Sequence, residues 1–256
     1  MLNARLQKIR GVQFMAKKEN AEFLVSLLQP LTKFPTSVYD AMLTWLFGSE
    51  ERTIEVCARV AYQDIRQNPT GGIGKMPSHE KQAWKSAIGA LIVCCIDELF
   101  AKGLSEQISF DIWHKETCDK ICEESNRREI PKWIKHMEDG FSYGVAQKWL
   151  NMTIKNMLVM EQWDSYLEPI KQYLHVPVDS YVMEAASTDL EIPIPCKNGG
   201  VGKYSLTGSK ADSKPWSRWE YGDYIAFQED VRKATPCPMD WEFGAWNKIK
   251  EKRGAE

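Results

Sequence analysis

Apolar residues recur at helical spacing through most of the first 190 positions, and alternating β-branched runs are almost absent there, which predicts an all-α fold. "NAEFLVSLLQPL" reads as a helix that ends at a proline. "PTSVYDAMLTWLFG" opens on a Thr-Ser cap signal and closes at Gly48. "SEERTIEVCARVAYQDIRQN" places acids in its first turn, and "NPTGGIGKMPS" at 68–78 is a loop. "HEKQAWKSAIGALIVCCIDELFAKG" continues with a glycine at its far end that suits a helix stop. Helical periodicity returns over 106–138, breaks at "DGFSYG" (139–144), and resumes in "GVAQKWLNMTIKNM", "SYLEPIKQYLH" and "VPVDSYVMEAAS".

The pattern changes after 190. "EIPIPCKNGGVGKYSLTGSKADSKPWSRWE" is rich in Gly, Ser, Lys and Pro, and it predicts a long loop with room for one short hairpin. Helical spacing resumes in "EYGDYIAFQEDVRKA" and "PMDWEFGAWNKIKEKRG". Trp216, Trp219, Trp241 and Trp246 all lie beyond 215, so the tail is expected to pack onto the rest. Three regions result: a helical lobe over 1–125, a central region over 126–190, and a basic loop with C-terminal helices over 191–256 that pack back on the lobe.

A hydrophobic fraction of 43% with 27% charged residues supports a folded core, and 256 residues suit one large domain or two small ones. The longest apolar run, "AIGALIVCCI", is too short to span a bilayer, so no membrane is expected. The start, "MLNARLQKIRGVQF", does not resemble a signal peptide, and seven cysteines, an odd number with several in helical patterns, point to reduced thiols and a cytoplasmic protein. Cys118 and Cys122 share a helix face, with His114 as the only close third ligand. No second Cys pair completes a familiar set, so neither a metal nor a cofactor is expected.

A net charge of −2 does not announce a nucleic-acid binder, but its distribution permits a basic face. Residues 1–18 carry Arg5, Lys8, Arg10, Lys17 and Lys18 and no acid. Residues 197–218 carry Lys197, Lys203, Lys210, Lys214 and Arg218 against Asp212 alone. "GGIGK" and "GGVGK" do not make a phosphate loop, because Met76 and Tyr204 stand where Ser or Thr is needed. Four scattered histidines form no zinc-hydrolase motif, and no Gly-x-Ser-x-Gly elbow is present.

One arrangement remains. In "IPKWIKHMED-GFSYG-VAQKWLNM" two helical patterns flank a tight turn, and the second helix is predicted to open with Gly144. Such a helix start exposes unpaired N–H groups where the helix dipole is positive, which suits a phosphate. "GVAQK" resembles the Gly-Val-Gly-x-Lys turn of the helix-hairpin-helix DNA glycosylase superfamily, and "HVPVDSYV" resembles its Val/Pro-Val-Asp signature. "KWLNMTIKNM" is similar to the Lys-Thr-x-x-Phe-Ala-x-Lys-Met helix of the archaeal 8-oxoguanine glycosylase branch, which also has a long gap between its two signatures. The likeness covers about 130–186. Ala146 departs from it at the second glycine of the turn.

The resemblance implies two helical lobes with a cleft between them, and a monomer that binds double-stranded DNA and excises a flipped, damaged or modified base. An oxidised purine or a phage-type modified base is the implied target, with strand cleavage at the abasic site as a possible second step. Lys148 is then the candidate nucleophile and Asp179, 31 residues later, the catalytic carboxylate. A lysine nucleophile must lose its proton, which burial favours, and a carboxylate stabilises the cationic sugar-like state. Gly144, Val145, Ala146 and Gln147 would hold phosphate, and Lys197, Lys203 and Lys210 would follow the DNA backbone. Trp216, Trp219, Phe227 and Gln228 are candidates for the base pocket, where stacking and amide hydrogen bonds hold a flipped base. Lys155 rivals Lys148 on nearly the same helix face, and Asp179 also reads as an N-cap. The alternative is a non-catalytic DNA-binding module that uses the same hairpin for phosphate.

Overall fold

The computed structural model describes residues 36–66, 76–134, 137, 140–205 and 212–255. Nine α-helices account for most of the described residues: α1 (Thr36–Phe47), α2 (Ile54–Arg66), α3 (Ser78–Lys102), α4 (Gln107–Arg127), α5 (Tyr143–Met160), α6 (Asp164–Leu167), α7 (Ser180–Asp189), α8 (Tyr221–Ala234) and α9 (Pro238–Ala255). The fold is all-α apart from one two-stranded antiparallel hairpin, β1 (Ile194–Pro195) with β2 (Val201–Gly202), in which Ile194 faces Gly202. Among the described residues no helix is long and apolar enough to cross a membrane.

Local chemistry sets the boundaries. Gly103, at φ 60°, ends α3 and returns its N–H to the Leu99 carbonyl. Along α3 the buried residues Trp84, Ile88, Ile92, Cys95, Ile96 and Leu99 recur every three or four positions, so a single stripe faces the core. α4 buries a similar stripe from Phe110 to Ser125. After α4 the chain turns through Glu129 at φ 55° into a 3-10 turn at Ile130–Trp133, not the α-helical arm expected before the hairpin. A left-handed residue followed by Pro131, which has no N–H to give, stops α-helical hydrogen bonding there.

α5 is the axis of the molecule: all eighteen of its residues are buried. It packs against α2 and α4, and against the 3-10 turn Trp216–Arg218. The apolar core that surrounds it is continuous from Met42 on α1 to Trp246 on α9. A helix enclosed on every side is usually apolar all round. α5 instead carries Gln147, Lys148, Asn151, Thr153, Lys155 and Asn156 into the interior, where each polar group needs a partner.

Candidate active site

The start of α5 differs from its expected use. Ser142, not the residue before Gly144, is the cap: its hydroxyl and carbonyl both accept the Val145 N–H, and the helix begins at Tyr143. Gly144 donates its N–H to the Trp219 carbonyl at 3.0 Å, Ala146 donates to the Ser142 carbonyl at 3.2 Å, and the Ser142 hydroxyl donates to the Ser217 carbonyl at 2.7 Å. Gly144, Val145, Ala146 and Gln147 are all buried, so this helix end is closed to a phosphate by the Trp216–Trp219 backbone. The glycine serves close packing: a Cβ on Gly144 would lie 2.0 Å from the Trp216 carbonyl oxygen.

Gln147 has a different partner. Its side-chain amide meets the backbone of Val178 twice, accepting the Val178 N–H at 3.3 Å and donating to its carbonyl at 3.2 Å. Gln228, on α8, does the same to Val176, accepting at 3.1 Å and donating at 2.8 Å. Asn151 adds a bond to the Val176 carbonyl. The extended segment 175–178 thus has no strand neighbour, and two glutamine side chains take that place. Gln228 and Phe227 are buried, as is Trp219, whose indole N–H donates to the Lys214 carbonyl and whose ring meets Phe227 edge-on. These three are core, not an open base pocket, and Trp216 is half-buried over the start of α5.

One residue further along each chain segment lies the ion pair. Lys148 Nζ is 2.7 Å from Asp179 Oδ2, with the two side chains 6% and 15% exposed. The other oxygen, Oδ1, accepts the Tyr181 and Val182 N–H groups at 2.9 Å each and so caps α7. Trp246 on α9 donates its indole N–H to Oδ2 at 3.2 Å. Burial alone would push this carboxyl up. The charge and hydrogen bond of Lys148, the Val182 amide and Trp246 outweigh burial and hold it below the usual carboxylate range. The capping reading of Asp179 is therefore met, and the same carboxylate also pairs with Lys148.

Two turns on, Lys155 forms a second and deeper pair with Glu242 on α9, at 2.9 Å to Oε1 and 2.6 Å to Oε2. Its ammonium lies 4.6 Å from the centre of the Phe243 ring. A third carboxylate lies on α2, within electrostatic reach of both pairs. Asp64 on α2 has one enclosed oxygen, Oδ2, without a hydrogen-bond partner. Burial pushes its carboxyl up to about 7, opposed by Lys148 and Lys155 and assisted by Asp179 and Glu242.

No family model, curated protein or solved structure matches the chain. The sequence reading missed Asp64, Glu242 and Trp246. Glu242 and Trp246 share a face of α9 at i, i+4 spacing, a readable pattern whose partners lie 87 and 67 residues away.

The basic loop is only partly described. Lys197 and Lys203 are exposed on the hairpin, and Lys210 lies outside the described residues. Lys214 is half-buried and paired with Asp223 at 2.7 Å. The thiols of Cys118 and Cys122 are pushed up by burial, and His114 Nε2 is engaged with Asn151 at 2.8 Å. A separate cleft of about 850 Å³ lies between α2 and α3, lined by Arg59, Tyr62, Lys85, Cys94, Glu98 and Trp149 among others; neither lysine pair lines it.

Proposed function

We propose that this chain is a helix-hairpin-helix-type DNA glycosylase, with two helical lobes around a cleft, that excises a damaged or modified base through Lys148 and Asp179. The observation that carries this reading is the contact itself: an ammonium and a carboxylate far apart in sequence meet at 2.7 Å, largely buried, at the N-terminus of α7. Neither group is merely solvated, and the low exposure of both favours strong electrostatics.

In this mechanism the neutral Lys148 amine attacks the deoxyribose carbon that bears the base. The carbon–nitrogen bond breaks and its electron pair leaves with the base, which takes up a proton. Asp179 stabilises the positive charge that develops on the sugar. It is suited to do so because its four hydrogen bonds keep it ionised. After ring opening the same amine becomes an imine, from which the strand can be cut. A nucleobase enters from the side on which Asp179 stays partly exposed, and it must part the ion pair to do so.

The hairpin's phosphate contact loses its support under both readings, because the amides of Gly144 and Ala146 already have acceptors within the protein. The exposed Lys197 and Lys203 remain as backbone contacts for DNA under either reading. The discriminating experiment measures base release from duplexes with oxidised, alkylated and phage-type modified bases. Release that is lost in Lys148→Gln supports the enzyme, and DNA binding without any release supports the module.

A further inference from the structure

We propose that Trp246 is the positioning residue that keeps Asp179 ionised and aimed after Lys148 has left it, a role that rests on the glycosylase reading above. Lys148 cannot attack the sugar and stay on the carboxylate, so the ion pair of the resting site is lost in the attacking step. What remains on Asp179 then decides its state.

Its four donors are unevenly placed. Oδ1 accepts the Tyr181 and Val182 N–H groups at 2.9 Å each, and neither bond depends on Lys148. Oδ2 accepts Lys148 Nζ at 2.7 Å and the Trp246 indole N–H at 3.2 Å. Four donors match the roughly four lone-pair sites of a carboxylate. With Lys148 gone, the indole is the donor left on Oδ2 among the described residues. Without it, one oxygen of a largely buried carboxylate would have no donor from the protein, which favours taking up a proton or turning away about Oδ1.

The chemistry and the packing of the indole suit this role. An indole N–H donates and has no acceptor site, so it bonds to the ionised form of Asp179 and cannot take a proton from it. Its direction is fixed. Trp246 is 6% exposed, and its ring lies 4.9 Å from that of Tyr181 at 31°. The Tyr181 ring also carries the Arg253 guanidinium at 4.3 Å, itself held by Glu184 at 2.6 and 2.9 Å. One turn before Trp246, Glu242 grips Lys155 of α5. The helix that bears the indole is thus anchored both on α5 and on α7, the helix that Asp179 caps.

The test is a pair of substitutions that separate the N–H from the ring. Trp246→Phe keeps a large aromatic surface and removes the donor. Trp246→His loses the six-membered ring but can place Nε2–H where the indole N–H stands. The probe is an abasic-site duplex with sodium borohydride at pH 8, where an imidazole is neutral. The initial rate of adduct formation should fall at least about tenfold in Trp246→Phe, with affinity for the duplex within about twofold of the wild type. Trp246→His should be faster than Trp246→Phe by at least about threefold. A Trp246→Phe rate like that of the wild type, a loss shared between rate and affinity, or a Trp246→His no faster than Trp246→Phe overturns the proposal.

Two measurements need no DNA. The Asp179 carboxyl carbon, followed by NMR, should titrate at a higher pH in Trp246→Phe than in the wild type, because one bond to the ionised form is gone. With position 246 unaltered, the Trp246 indole proton should move upfield in Asp179→Asn, whose neutral amide is the weaker acceptor. An unmoved carboxyl midpoint or an unmoved indole proton overturns the proposal. If the wild type forms no adduct and releases no base, the glycosylase reading fails, and these two measurements still decide whether Trp246 holds Asp179.

Discussion

Gln147 and Val178 are joined by two hydrogen bonds, and the residues directly after them, Lys148 and Asp179, are joined by the buried ion pair. The register of one contact sets the other. A side-chain amide that copies the edge of a strand fixes where the 175–178 segment lies against α5, and Asp179 arrives opposite Lys148 as a consequence. His175 anchors the far end of that segment, with Nδ1 2.9 Å from the Tyr224 hydroxyl and Nε2 2.7 Å from Asp111 Oδ1.

Loss of this clamp should be costly. Gln147→Ala leaves the buried N–H and carbonyl of Val178 without their partner, and unsatisfied groups of this kind cost about 1–3 kcal/mol each. We expect Gln147→Ala to destabilise the protein by about 2–4 kcal/mol, with Gln228→Ala similar, as measured by urea unfolding. A change within about 0.5 kcal/mol for both would show that the segment is held by something else.

The Lys155–Glu242 pair gives a second prediction. Both side chains are almost wholly buried, so removing one partner strands the other charge. Lys155→Met and Glu242→Gln should each cost about 3–5 kcal/mol, and the double variant Lys155→Met/Glu242→Leu should cost clearly less than their sum. A double-mutant cycle measures the difference. Additive losses would mean that the two residues do not depend on each other.

Much of this architecture was legible in the sequence, and the exceptions have a common cause. Helix positions followed from apolar spacing and stop signals such as Gly103, and Asp179 before "SYV" read as a cap, which it is. Lys148 and Asp179 were singled out by the resemblance. What stayed hidden were pairings across long sequence distances. Nothing local marks Asp64 or Glu242 as neighbours of the α5 lysines, because α2 and α9 meet α5 only after folding. Gly144 was read as a phosphate-binding glycine, yet its lack of a side chain answers the approach of the Trp216 carbonyl. Gln228 and Trp219 were read as pocket residues, since polar and aromatic side chains carry the same signal whether they face a ligand or a neighbouring segment.

Stability should depend on pH with two opposing signs. Burial, the largest influence on each, holds His114 and His175 below their ordinary value of about 6.5. Below that pH the unfolded chain binds protons that the folded one refuses, so these residues make stability fall as pH drops under about 6.5. Asp64 acts the other way. Its folded value of about 7 exceeds 3.8, so the folded state holds the proton more tightly, and stability is lost as pH rises from about 4 to about 7. Asp64→Asn should therefore be more stable than the wild type by about 2 kcal/mol at pH 8, a figure reduced for partial solvent screening, with the gap closing toward pH 4. Urea unfolding at the two pH values checks this, and a gap that is absent or reversed contradicts it.

The most direct test of the account is covalent capture. Incubation with an abasic-site duplex and sodium borohydride should yield a protein–DNA adduct that peptide mass spectrometry locates on Lys148. That adduct should be absent in Lys148→Gln and reduced by about 100-fold or more in Asp179→Asn. An adduct of wild-type yield in folded Lys148→Gln, or one mapped to another lysine, would contradict the assignment.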